Sequence, residues 1–148
     1  PQCPKNQIWD NEARVALLDH VLVNHRCDPA RVYLTGLSMG GFGTFSLGLA
    51  HPEKFAAIAP VCGGGEWIKV YAAKRSKPEA FKNLGVWAFH GGRDNVVKPE
   101  QSKRMIDALK KAGCKDVQFT IYPEAGHDSW TKTYDNPKLF EWFLSHSR

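Results

Sequence analysis

Among Cys3, Cys27, Cys62 and Cys114 there is no CxxC pair, and no Cys/His pair stands at metal-ligand spacing. That argues against a structural zinc site. A Cys3–Cys27 disulfide is disfavoured as well, because the helix expected between them, about sixteen residues, would hold them ~24 Å apart at ~1.5 Å per residue. No apolar run approaches the roughly 18 residues of a membrane span, and no repeat or low-complexity linker interrupts the chain. Blocks of five or six like charges are missing too. The densest basic stretches, from Lys69 to Lys77 and from Lys103 to Lys111, are diluted by Glu66, Glu79, Asp107 and Asp116. The excess of 20 Lys and Arg over 15 Asp and Glu therefore reads as solvated surface, with nucleic-acid binding a minor alternative. The opening Pro1-Gln2-Cys3-Pro4 carries neither Met nor a signal-type apolar stretch, as expected of a chain that is processed or cut from something longer.

What is present is a globular balance, 43% hydrophobic and 24% charged over 148 residues, enough for one domain with a real core. Strand and helix signals alternate along it. Asp10-Asn11 can cap a helix to about residue 25 with Ala13, Leu17, Val21 and Leu22 on one face. Residues 31–35 read as a buried strand, and the glycine-dense turn 36–43 runs into an apolar helix ending at His51-Pro52. Residues 55–61 form the next strand, followed by Cys62-Gly63-Gly64-Gly65 and a helical or irregular stretch through Lys82. Residues 86–89 and 117–122 are further strands, the last with Phe119 and Ile121 on one face. Between them lies an amphipathic helix, 100–112, stopped by Gly113, and a final one covers 137–146. Such alternation implies βαβ units and a parallel sheet covered on both faces, with chemistry at the carboxyl ends of the strands.

The strand ends do carry chemistry. Gly36-Leu37-Ser38-Met39-Gly40 is a G-x-S-x-G between a strand and a helix, a spacing that holds a serine on a strained turn with its hydroxyl exposed. Glycines two residues to either side leave room for the chain to pass itself. The backbone N–H of Met39 then points to where an oxyanion would develop. A serine nucleophile needs a base, and the base an orienting acid. His20, His25 and His146 read as surface residues, His51 as a helix cap, and His90 as a strand-end histidine bonded to nearby backbone. His127 follows the last strand in a loop that can swing over the sheet, and is the expected base. Asp94, just past the third strand, is the expected acid. Glu66 is its rival, and Asp128 is too near His127 in sequence to face that ring. Trp130, Leu37 and Trp67 fall near the site as pocket-lining or packing residues.

The segments Thr35-Gly-Leu-Ser-Met-Gly-Gly41, Phe89-His-Gly-Gly-Arg-Asp-Asn-Val-Val97 and Gly126-His-Asp-Ser-Trp130 resemble the α/β-hydrolase superfamily. More narrowly, Pro1-Gln2-Cys3-Pro4-Lys5, Cys62-Gly-Gly-Gly65 and Ser129-Trp130 resemble bacterial esterases of the phospholipase/carboxylesterase type. The resemblance implies an α/β-hydrolase fold, Ser38, Asp94 and His127 as nucleophile, acid and base, and carboxylic ester hydrolysis through an acyl-enzyme with no metal or organic cofactor. The substrate would be a small-molecule or polysaccharide-linked ester, and the enzyme an exported one. A serine peptidase or acyltransferase with the same triad is the alternative, and a non-catalytic basic binding module a remoter one. The resemblance also implies strands upstream of those present: residues 1–148 match the C-terminal part of a single catalytic domain. Only Met39 can then be named as an oxyanion donor, where loss of one such donor costs ~10²–10³ in rate. The first strand would lack a neighbour on one side, an edge prone to aggregation unless covered.

Overall fold

A computed structural model describes residues 2–148, and Pro1, part of the opening segment noted above, lies outside them. The four strands β1 (Tyr33–Leu37), β2 (Ala57–Val61), β3 (Gly85–Gly91) and β4 (Val117–Tyr122) form one parallel sheet in the order β1-β2-β3-β4. Helices α1 (Asn11–Asn24), α2 (Met39–Ala50), α3 (Ile68–Ser76), α4 (Pro78–Asn83), α5 (Glu100–Ala112), α6 (Trp130–Tyr134) and α7 (Pro137–Leu144) surround it, with a 3-10 turn at Pro52–Lys54. Within the described residues, β1 and β4 are the sheet edges.

Alternation along each strand divides the core in two. Leu34, Ile58, Val86, Ala88, Val117 and Phe119 face a cluster built on Phe45, Val70, Phe81, Met105 and Leu109 of α2–α5. Tyr33, Ala59, Val61, Phe89 and Tyr122 face Leu139, Trp142 and Phe143 of α7. Every residue of β2 is buried, as a central parallel strand requires. Emptying either layer at a fully buried position such as Phe45 or Phe89 should cost about 3–5 kcal/mol.

Helix ends follow local chemistry. Asp10 Oδ1 accepts the N–H groups of Glu12 and Ala13, Asn136 caps α7 ahead of Pro137, and Gly113, at φ 93°, ends α5 in the left-handed conformation. The stretch expected to be helical or irregular resolves into α3 and α4, parted at Lys77-Pro78. The first strand starts at Tyr33 rather than Arg31, because pairing with β2 begins at Tyr33 opposite Ala57.

Two expectations, the face of α1 and the place of His146, differ from the packing found. The inward face of α1 is Asn11, Arg14, Val15, Leu18, Val21 and Leu22, whereas Ala13 and Leu17 face out. Asn11 reaches Ser46 and Arg14 donates to the Gly43 carbonyl, so polar anchoring to α2 sets the helix rotation. Ile121 shares a strand face with Phe119 as expected, but Val117 and Phe119 pack against the core while Ile121 is exposed. His146 is not a free surface residue: its ring packs tilted against Trp142, centroids 4.6 Å apart, and its Nε2 meets Asp116 Oδ2 at 2.9 Å.

Candidate active site

The turn that carries Ser38 is built from β1 and the first turn of α2. Ser38 has φ 51° and ψ −117°, a conformation that costs a non-glycine residue about 1–3 kcal/mol. Its N–H offsets part of this by donating to the Val61 carbonyl at 3.0 Å and to Cys62 Sγ at 3.2 Å. A Cβ at Gly36 would stand 2.6 Å from the Gly40 carbonyl oxygen, so a side chain there is excluded. The second required glycine is Gly41, not Gly40: a Cβ at Gly41 would strike the Val61 carbonyl and the Gly63 backbone, while one at Gly40 would have open space. The helix start thus rests directly on the end of β2. The first N–H groups of α2, Met39 included, have no intrahelical acceptor and lie at the positive end of the helix dipole.

His127 comes from the loop after β4. Its Nε2 lies 2.9 Å from Ser38 Oγ and its Nδ1 lies 2.8 Å from Asp94 Oδ2. Asp94 is buried in the turn after β3, and its Oδ1 accepts the N–H groups of Val96 and Val97, each at 2.9 Å. Burial pushes the Asp94 carboxyl up, but the bond from His127, the two backbone N–H donors and the His127 charge outweigh it. The group is held below the ordinary aspartate value. Ser38, His127 and Asp94, 33 and 89 residues apart along the chain, therefore stand in series. Hydrogen-bonded this way, the imidazole can accept the serine proton while the carboxylate stabilises the cation that results.

The other expected residues are distributed unequally. Leu37 and Met39 line a cavity of about 480 Å³ that opens at Ser38, together with Trp9, Leu34, Thr35 and Tyr134. Trp130 is edge-on to the His127 ring at 5.4 Å and packs against the α7 side of the core. Trp67 is more than half exposed, outside that cavity lining, with its ring edge-on to Tyr71. Glu66 is exposed and pairs with Lys69, and Asp128 caps Thr131 rather than approaching His127. Trp9 and Tyr134 were not foreseen, because only the folded chain brings the segment before α1 and the short helix α6 to β1. Among the described residues no three His, Cys, Asp or Glu side chains gather as a metal-binding group, and no helix is long and apolar enough to cross a membrane.

A serine, an imidazole and a carboxylate bonded in series beyond the strand ends of a parallel sheet define the α/β-hydrolase class of site. The chain belongs to the dienelactone hydrolase family, whose model matches residues 5–138. It is similar to acyl-protein thioesterase 1 of Mycosarcoma maydis, 31% identical over 112 residues, covering 73% of this chain and 45% of that one. Over 48 residues it is 46% identical to poly(3-hydroxyalkanoate) depolymerase C of Paucimonas lemoignei, covering 32% of this chain and 12% of that one. A solved thermostable esterase superposes with a TM-score of 0.87 at 34% identity, over 100% of this chain and 43% of that chain. The chain spans less than half the length of these relatives.

Proposed function

We propose that this chain carries the catalytic triad of a serine carboxylesterase, with Ser38 as nucleophile, His127 as general base and Asp94 as its orienting acid. The observation that supports this best is the unbroken series Ser38 Oγ–His127 Nε2 and His127 Nδ1–Asp94 Oδ2, at 2.9 and 2.8 Å. In the first half-reaction Ser38 Oγ bonds to the ester carbonyl carbon as His127 takes the hydroxyl proton, and the Met39 N–H faces the developing oxyanion. The carbon–oxygen bond to the alcohol then breaks, and His127 returns the proton to the leaving alcohol. Water, deprotonated by the same imidazole, cleaves the acyl-enzyme and restores Ser38. The apolar walls of the cavity at Ser38 suit the hydrocarbon part of an ester, Leu37 and Met39 being the contacts nearest the nucleophile in sequence.

In this reading the outer edge of β1 is the seam to which the remaining strands of a larger catalytic domain add, in keeping with the fraction of its relatives that the chain spans. The test is labelling and turnover. A fluorophosphonate probe should modify Ser38, and Ser38→Ala should lower p-nitrophenyl ester hydrolysis by about 10⁴ or more. Turnover unchanged in Ser38→Ala would reject the assignment.

A further inference from the structure

Behind the triad lies a histidine that the reaction scheme does not use. His90, at the end of β3, is fully buried. Its Nε2 lies 2.9 Å from the Val97 carbonyl oxygen and 3.2 Å from Asp94 Oδ2. Both neighbours only accept hydrogen bonds, so Nε2 carries a hydrogen. Its Nδ1 lies 2.8 Å from Ser102 Oγ on α5, and the Gly63 carbonyl oxygen lies 2.8 Å from the same Oγ, so with a hydrogen on Nε2 the Nδ1 lone pair and that carbonyl compete for the single Ser102 hydroxyl hydrogen. The Val97 N–H donates to Asp94 Oδ1, which closes a ring of His90, Val97 and Asp94. Through Ser102 and Gly63 the same ring is tied to the end of β2, on which the nucleophile turn rests.

Resting on the triad assignment above, we propose that His90 is a positioning residue that fixes the Asp94 carboxylate and shares its charge with His127. The same oxygen, Oδ2, faces both rings, with His127 Nδ1 at 2.8 Å and His90 Nε2 at 3.2 Å. A donor dipole aimed at Oδ2 takes up part of the carboxylate charge that would otherwise act on the His127 ring alone. The Cys62 thiol at the end of β2 feels the charges of Asp94 and Asp128, while Arg93 pairs outward with Glu124 on the surface. With no exposed surface, His90 acts through Asp94 and not on substrate.

Two substitutions separate this role from plain packing. His90→Gln can keep an amide N–H near the Nε2 position, whereas His90→Asn can keep only the contact toward Ser102. The downfield proton resonance of the His127 Nδ1–H, recorded on the full chain and assigned by its loss in Asp94→Asn, reads the carboxylate without any turnover. His90→Asn should move that resonance and lower kcat, with KM held. His90→Gln should restore both. If His90→Asn does not fold, Ser102→Ala, which frees the far side of the ring, is read in its place and should move the resonance in the same direction. An unmoved resonance, or equal displacement in the Gln and Asn variants, overturns the proposal. Because the resonance needs no ester, its outcome is independent of whether Ser38 is the nucleophile.

Discussion

The Cys62 thiol accepts a hydrogen bond from the backbone N–H of Ser38 at 3.2 Å, so a buried sulfur at the end of β2 helps hold the strained turn at the end of β1. Cys62 itself has a positive φ of 40°. Burial pushes its thiol up, and the nearby Asp94 and Asp128 charges add to this against the lowering influence of the Ser38 N–H and Ser129. Burial likewise pushes Cys114 up to about 12. All four thiols are free, yet only a thiolate reacts readily. Brief iodoacetamide treatment of the native protein should label Cys27 first and the partly covered Cys3 more slowly, leaving Cys62 and Cys114 unmodified until denaturant is added. Peptide mass spectrometry reads the order, and rapid native labelling of Cys62 would contradict the packing described.

Asp94→Asn should leave the fold in place while lowering kcat about 10⁴-fold, because an amide cannot stabilise the imidazolium and permits the wrong ring tautomer. KM for a p-nitrophenyl ester should change far less. A loss under tenfold would argue that Asp94 does not orient His127.

The glycines of the turn that carries Ser38 differ in kind. Gly36→Ala should lower both the melting temperature and kcat, because the new methyl meets backbone at 2.6 Å. Gly40→Ala has open space in the first turn of α2 and should be neutral or stabilising by about 0.5–1 kcal/mol. Thermal melts of the two variants side by side check the contrast, and equal destabilisation would refute it.

Asp116 ties α7 to the start of β4. Its Oδ2 accepts from Trp142 Nε1 at 3.0 Å and from His146 Nε2 at 2.9 Å. Burial pushes its carboxyl up, but the bonds from Gln118, Trp142 and His146 prevail and leave it below the ordinary value. A depressed folded value means that the stabilisation is present above the unfolded value, about pH 4, and is lost as pH falls through the lower folded one. Asp116→Asn should therefore lower the melting temperature at pH 7 by about 2–4 °C, for roughly 1 kcal/mol. The gap to the unsubstituted protein should close under more acid conditions. A gap that persists unchanged to pH 2 would show that the carboxylate's charge is not its source.

The convergence of Ser38, Asp94 and His127 is legible in the sequence because each lies within five residues of a strand's carboxyl end, and parallel sheets gather such positions at one end. His90 was assigned to nearby backbone, and it does bond Val97, but its link to Ser102 depends on how α5 lies over the sheet. Helix α6 escaped notice because Trp-Thr-Lys-Thr-Tyr is rich in β-branched and aromatic residues that favour strands. It is held by the Thr133 N–H and hydroxyl, which both donate to the Ser129 carbonyl. The inward face of α1 is not legible from hydrophobic periodicity, because that face includes the polar anchors Asn11 and Arg14.

Since the strands lie side by side in chain order, each can dock on its immediate predecessor as synthesis proceeds, without waiting for a distant partner. The contact between Ser38 and His127 spans 89 residues and forms only when β4 is in place. Assembly from the N-terminal side would thus complete the sheet before it arms the serine, so a nascent or C-terminally shortened chain would hold an unactivated hydroxyl.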